Sequence, residues 1–309
     1  MTQRYWRKIL FGASTRDLIG RTLLLFLAVI ASVVIVFIFL EVWAEALPAI
    51  LILGPQLFGS VWDPTVTQQY GIIVFIVGTL WVTGLSLLIA IPLGIAGSLF
   101  LAEYSPHRLK EPLRILLILM AGIPSIVYGL WGMYTLVPFL REVIGSLPGM
   151  GWYTGFGVLP ASIVLAIMLL PTIVTVSYDA MVMVPDTLRE ASYALGASRT
   201  ETSAKVVLAT ALPGVGAAVL LSLGRAIGET MAVLLLTGNN SARIPLSIFD
   251  LCYVMTSVIA NQLGLAVGGY PLMQSSLFFV ALMLLVLSMV FSLAAKVIVG
   301  WGMRKQGLR

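Results

Sequence analysis

The length of its apolar runs constrains this chain more than any other feature. Six stretches, approximately 22–43, 71–101, 113–140, 158–178, 206–236 and 277–300, are each long and apolar enough to cross a membrane. A helix needs about 20 such residues to span the hydrocarbon core. In lipid its backbone polar groups must pair within the segment, so the expected fold is all-α, a bundle of six transmembrane helices. The second and fifth runs exceed the minimum, which predicts tilt or extension beyond the bilayer. Composition agrees, since 60% of the 309 residues are hydrophobic and 10% are charged. A soluble domain carries about 25% charged residues. With one cysteine, Cys252, and one histidine, His107, the chain offers neither a disulfide framework nor a His/Cys metal site, and no cofactor is expected. Its basic residues are scattered between apolar runs and form no stripe for nucleic acid.

Where those basic residues fall sets the orientation. With both termini in the cytoplasm, 15 of the 18 Lys and Arg lie inside, only Arg141 and Arg243 lie outside, and Arg225 lies within a span. This predicts a multi-pass membrane protein with both termini in the cytoplasm. Ala44-Glu45-Ala46 resembles a signal-peptide cleavage site, but the run before it is longer than a signal h-region, so it reads as an uncleaved anchor. The predicted layout is a cytoplasmic segment 1–20, a first anchor 21–44, a transmembrane domain 70–300 containing a cytoplasmic loop 185–205, and a cytoplasmic tail 301–309. Tyr5-Trp6-Arg7-Lys8 suits a short helix on the inner membrane surface, in contact with lipid. The outer connections hold Trp62, Pro64, Trp152, Tyr153, Tyr270 and Pro271, and aromatics of this kind anchor membrane interfaces.

The loop between the fourth and fifth runs is the most informative segment. Thr187 with Glu190, and Ser198 with Glu201, each have the hydroxyl-to-acid spacing of a capping box. Gly196 stands where a C-cap glycine belongs. The loop therefore reads as a short helix, a tight turn, and a second helix entering the fifth span. It is either a well-capped hairpin or a rigid knob shown to a cytoplasmic partner. A DNA-binding helix-turn-helix is excluded by the few basic residues and by flanks that enter the membrane.

Glu190-Ala191-Ser192, then Gly196 and Leu212-Pro213, resembles the EAA loop of bacterial ABC importer permeases. Many of those have Leu-Pro where this chain has Leu208-Ala209. The resemblance implies that Glu190, Ala191 and Gly196 dock an ATPase subunit. Three more stretches, Tyr70–Leu80, Ala121–Gly132 and Arg225–Ala232, resemble phosphate-importer permeases, the PstC type more than the PstA type. That implies a type I importer-permease bundle working with a PstA-like second permease, two ATP-binding subunits and an extracytoplasmic phosphate-binding protein. No Gly-x(4)-Gly-Lys-Ser/Thr phosphate loop occurs, so ATP is hydrolysed by a separate chain and this subunit is not itself an enzyme.

Candidate path residues follow from the cost of placing them in lipid. Arg225 and Glu229 sit one helical turn apart if the fifth span is continuous. A charge at mid-membrane costs about 2.5–3.5 kcal/mol on insertion scales, so the two need a reason. Either they form an assembly salt bridge, or Arg225 attracts an oxyanion through its planar donors and Glu229 tempers it. The resemblance favours the second, since both belong to the family's motif. Pro124 removes a backbone donor inside the third run and bends it. Ser125 and Tyr128, three residues apart, face one path or merely pack beside Gly122 and Gly129.

Three other functions compete. Another oxyanion, sulfate or molybdate, would use the same architecture. An ion-coupled secondary transporter expects helices broken in corresponding halves. An intramembrane hydrolase needs a nucleophile–base pair within the spans, and the sole histidine lies in a loop.

Overall fold

The computed structural model describes residues 15–305, with side chains over 20–301. The surface helix expected at Tyr5–Lys8 and the last four residues of the tail lie outside the described residues. The bundle is all-α, as expected. Helix α1 is Thr15–Leu53. A two-stranded antiparallel hairpin follows, β1 (Trp62–Asp63) against β2 (Gln69–Tyr70). Then come α2 (Ile73–Tyr104), α3 (His107–Gly122), α4 (Ser125–Gly145), α5 (Val158–Val182), the short α6 (Asp186–Ala194) and α7 (Arg199–Gly228). Helices α8 (Met231–Leu236), α9 (Met255–Val267) and α10 (Pro271–Lys305) complete the chain.

Five of these helices are long and apolar enough to span a membrane, and six spans result if α3 and α4 count as one bent crossing. The expected spans need correction in three places. The first helix continues past Ala44-Glu45-Ala46 through Pro48 to Leu53, beyond the run 22–43, so that motif is helical. The third span is broken between α3 and α4, which meet at 92°. The fifth ends at Gly228 and resumes as α8 after Glu229 and Thr230.

Burial orders the layers. In α5, 67% of the most apolar window is buried, against 22% in α10 and none in α1. Helix α5 is therefore the centre, and α2, α7 and the α4–α8 pair pack around it through Leu165, Met168, Leu169 and Ile173. Leu23 to Leu40 of α1 are exposed, a face suited only to lipid or another membrane subunit. The C-terminal end of α1 does pack, with Ala46, Ala49 and Leu53 joining Met273, Leu277 and Val280 of α10.

The connections expected on the outside are ordered rather than loose. Trp62 stacks edge-on against Tyr70 and Phe75 at 5.7 and 5.3 Å, and its indole N–H donates to Gln262 at 2.7 Å. Phe75 meets Tyr253 at 5.3 Å, and Tyr153 meets Phe249 at 5.7 Å. Trp62 and Tyr153 are thus buried core residues and not interface anchors; Trp152 and Tyr270 remain exposed. Burial pushes the Tyr153 phenol up to about 12, so it stays neutral.

Candidate functional site

Two breaks in the helical backbone build the site. The first lies between α3 and α4. Ile123 is extended (φ −68°, ψ 128°), the conformation forced on a residue before proline, and Pro124 starts α4. The Met120 carbonyl, left over at the end of α3, accepts the Tyr128 hydroxyl at 2.9 Å. Tyr128 therefore closes the bend from the far side. Ser125 opens α4 and is half-buried.

The second break lies between α7 and α8. Glu229 leaves the helix with φ −69° and ψ 129°. Its carboxylate folds onto the start of α8, accepting the amides of Thr230 at 3.2 Å and Ala232 at 3.4 Å. An acid at a helix N-terminus is favourable there. Thr256 and Ser257 of α9 donate to the carbonyls of Glu229 and Thr230 at 2.8 and 3.4 Å, so α9 stitches the break from outside.

The breaks lie side by side. A Cβ on Gly129 would stand 2.9 Å from the Ala232 Cα, so glycine is what lets α4 touch α8. Tyr128, Ala226 and Ala232 share one buried cluster. Arg225 lies in the last turn of α7, next to Ala226 of that cluster. A cation also suits that end of a helix, where carbonyls lack partners.

The structure corrects the geometry expected for Arg225 and Glu229. They do not share a helical face, because the helix ends between them. Among the described residues no ion pair includes either one. The Glu229 carboxylate is committed to backbone amides, and Arg225, half-buried, stands in the last turn of α7 just before the second break. The continuous hydrophobic run from 206 to 236 hid this break, although Gly228 is a stop signal.

Away from these breaks, α6 and the start of α7 form the loop expected to dock an ATPase. Gly196 has φ +84°; its amide bonds the Tyr193 carbonyl at 2.9 Å, and the Ala197 amide bonds the Ser192 carbonyl at 3.2 Å. That is the expected C-terminal turn. The Ser198–Glu201 capping box is present, with both reciprocal bonds. The Thr187–Glu190 box is not: α6 starts after Pro185, with no side-chain cap. Proline at that position and the acid Asp186 in the first turn replace it, and Glu190 is exposed beside exposed Ala191. Leu195 is 90% exposed and Met183 81%, an apolar surface on an otherwise polar loop.

Sequence reasoning overlooked what holds this loop. Arg189 of α6 bonds Glu103, at the end of α2, from Nε at 3.1 Å and from Nη2 at 3.0 Å. A sign was available, since Glu103 is the acid that closes the apolar run 71–101, ahead of a cluster of basic residues.

Comparison with known proteins decides the family. The model for the binding-protein-dependent transport system inner membrane component matches residues 90–301. The chain belongs to this family. A probable ABC transporter permease of Bacillus subtilis, YqgH, is 40% identical over 272 residues, covering 86% of this chain and 85% of that protein. The phosphate transport system permease PstC of Haemophilus influenzae is 40% identical over 248 residues, covering 76% and 77%. A probable PstC of Methanocaldococcus jannaschii is 37% identical over 263 residues, covering 81% and 82%. Among solved structures, the inward-facing MetNI methionine ABC transporter matches with a TM-score of 0.57 at 22% identity, over 75% of this chain and 95% of that one. A bacterial alginate ABC transporter matches with 0.57 at 19%, over 90% and 94%. These likenesses establish the importer-permease bundle. Two broken spans are what a secondary transporter would also show, and the family match excludes that alternative.

Proposed function

We propose that this chain is the transmembrane permease subunit of an ATP-driven inorganic phosphate importer and forms the path together with a second, PstA-like permease. The observation that carries the reading is Arg225, free of any ion-paired carboxylate among the described residues and placed in the last turn of α7 just before that span breaks, next to Ala226, which shares a buried cluster with Tyr128 of the other broken span. Irregular backbone at membrane depth is tolerated where it lines a watered path. Guanidinium donors match phosphate oxygens in pairs. The permeases named PstC, 35–40% identical to this chain, support phosphate over sulfate or molybdate.

Arg225 attracts the anion, and Ser125 and Tyr128 line the same stretch. Glu229 shapes the path by holding the break open and keeps net attraction low enough for release. Glu190, Ala191 and Gly196 present the loop to one of two ATP-binding subunits, and an extracytoplasmic phosphate-binding protein delivers substrate from outside. Both termini are cytoplasmic, with 1–20 and 301–309 flanking the anchor and the transmembrane domain 70–300. Consistent with one shared cytoplasmic end, Glu103 and Tyr104 touch Arg189, Arg199 and Thr200 across the sequence.

The test is uptake of radiolabelled phosphate by cells depending on this chain for import, with sulfate and molybdate as competitors. Phosphate uptake undiminished by excess sulfate and molybdate is expected. Preferential uptake of either competitor would assign the path to that oxyanion.

A further inference from the structure

The docking loop is joined in sequence to α5 and α7, yet its Arg189 also pairs with Glu103 of α2, 86 positions away. All five guanidinium N–H groups of Arg189 donate: Nε and Nη2 to Glu103 Oε1, Nη2 also to the Met181 carbonyl at 3.0 Å, and Nη1 to the Val184 carbonyl at 2.6 Å and to Asp186 at 3.0 Å. One side chain therefore ties together the end of α5, the start of α6 and the end of α2. The pair is shielded, with Glu103 7% and Arg189 16% exposed. A shielded, charge-assisted contact holds its geometry better than a surface pair.

A second grip comes from the other arm of the loop. Arg199 donates to the Glu103 carbonyl, and its guanidinium lies 4.9 Å from the centre of the Tyr104 ring. The Tyr104 hydroxyl donates to Thr200 at 3.3 Å. The gripped end of α2, Phe100–Tyr104, is wound as a π-helix, and so is Thr202–Val207 of α7 beside it. Such stretches recur where a helix serves function at a cost in regular geometry. Beneath them Ile95, Leu99 and Ala102 of α2 pack against Met181, Val184 and Val207.

We propose that Glu103 is a positioning residue that makes α2 move with the docking loop, so that displacement of the loop by ATP hydrolysis reaches three spans and not only the two it joins. This rests on the loop being the ATPase contact, as argued above.

The experiment reconstitutes the full chain with its partner permease, ATPase and phosphate-binding protein in vesicles, and measures phosphate delivered per ATP hydrolysed. Glu103→Gln keeps an acceptor and removes the charge. Assembly and ATP hydrolysis should persist while the ratio falls at least about fivefold, the low end of coupling between sites. An intact Glu103→Gln complex with an unchanged ratio would overturn the proposal, because a mere staple affects assembly and not the yield per ATP. Tyr104→Ala, at a solvent-facing position, decides the matter if Glu103→Gln does not assemble. Its ratio should drop about twofold or more, the fold-change carried by an exposed cation–π contact, and no drop overturns the proposal. Failure of the docking reading looks different: ATPase binding would then survive both Gly196→Val and Glu190→Lys in the same assay.

Discussion

At the residue scale, the expected Arg225–Glu229 partnership changes into two separate tasks. Because Glu229 is held by amides, Arg225→Gln leaves no lone carboxylate looking for a partner. The variant should assemble normally and lose uptake. A charge-assisted hydrogen bond is worth about 1.5–3 kcal/mol, so uptake per assembled complex should fall roughly ten- to a hundred-fold. Glu229→Gln retains a carbonyl able to accept from Thr230 and Ala232, and should cost far less. Adding it to Arg225→Gln should restore nothing. Recovery of uptake in the double variant would show that the two charges mattered only to each other. Tyr128→Phe tests the bend: it strands the Met120 carbonyl and should lower stability by about 1 kcal/mol, read as a reduced melting temperature of the purified complex.

At the scale of elements, the loop separates local stability from docking. Gly196 has open space around its α-carbon, so Gly196→Val suffers only from the backbone conformation. A φ of +84° strains a β-branched residue by about 1–3 kcal/mol. The variant should insert in the membrane and lose ATPase association in co-purification. Glu190→Lys now carries a sharper prediction than a cap would allow. Glu190 makes no cap, so helicity and hydrogen exchange of α6 should be unchanged while association is lost. Faster exchange in α6 would point to a local structural role instead. The second half of the loop was legible from Ser198, Glu201 and Gly196 because capping is a short-range rule with fixed spacing. The first half was not, because Pro185 satisfies the helix start by lacking a donor, which the Thr187–Glu190 spacing conceals. The break at Glu229 was hidden for a different reason. What holds it is Thr256 and Ser257, 27 residues on, and no local pattern reports a partner that distant.

At the scale of the whole molecule, apolar run length was enough for the all-α bundle of five or six spans, since lipid leaves the backbone few choices. Run length does not show which spans break, nor that Trp62 and Tyr153 turn inward to join the core. The orientation is tested by single-cysteine labelling after Cys252 is replaced: position 152 should react from outside and position 199 only from inside. The most direct test of the central claim is ATP-driven phosphate accumulation in sealed vesicles holding only this chain, its partner permease, the ATPase and the binding protein. Accumulation that needs both ATP and the binding protein, and that falls with Arg225→Gln at unchanged assembly, is the predicted result. Full accumulation with Arg225→Gln, or transport that proceeds without ATP, would contradict it.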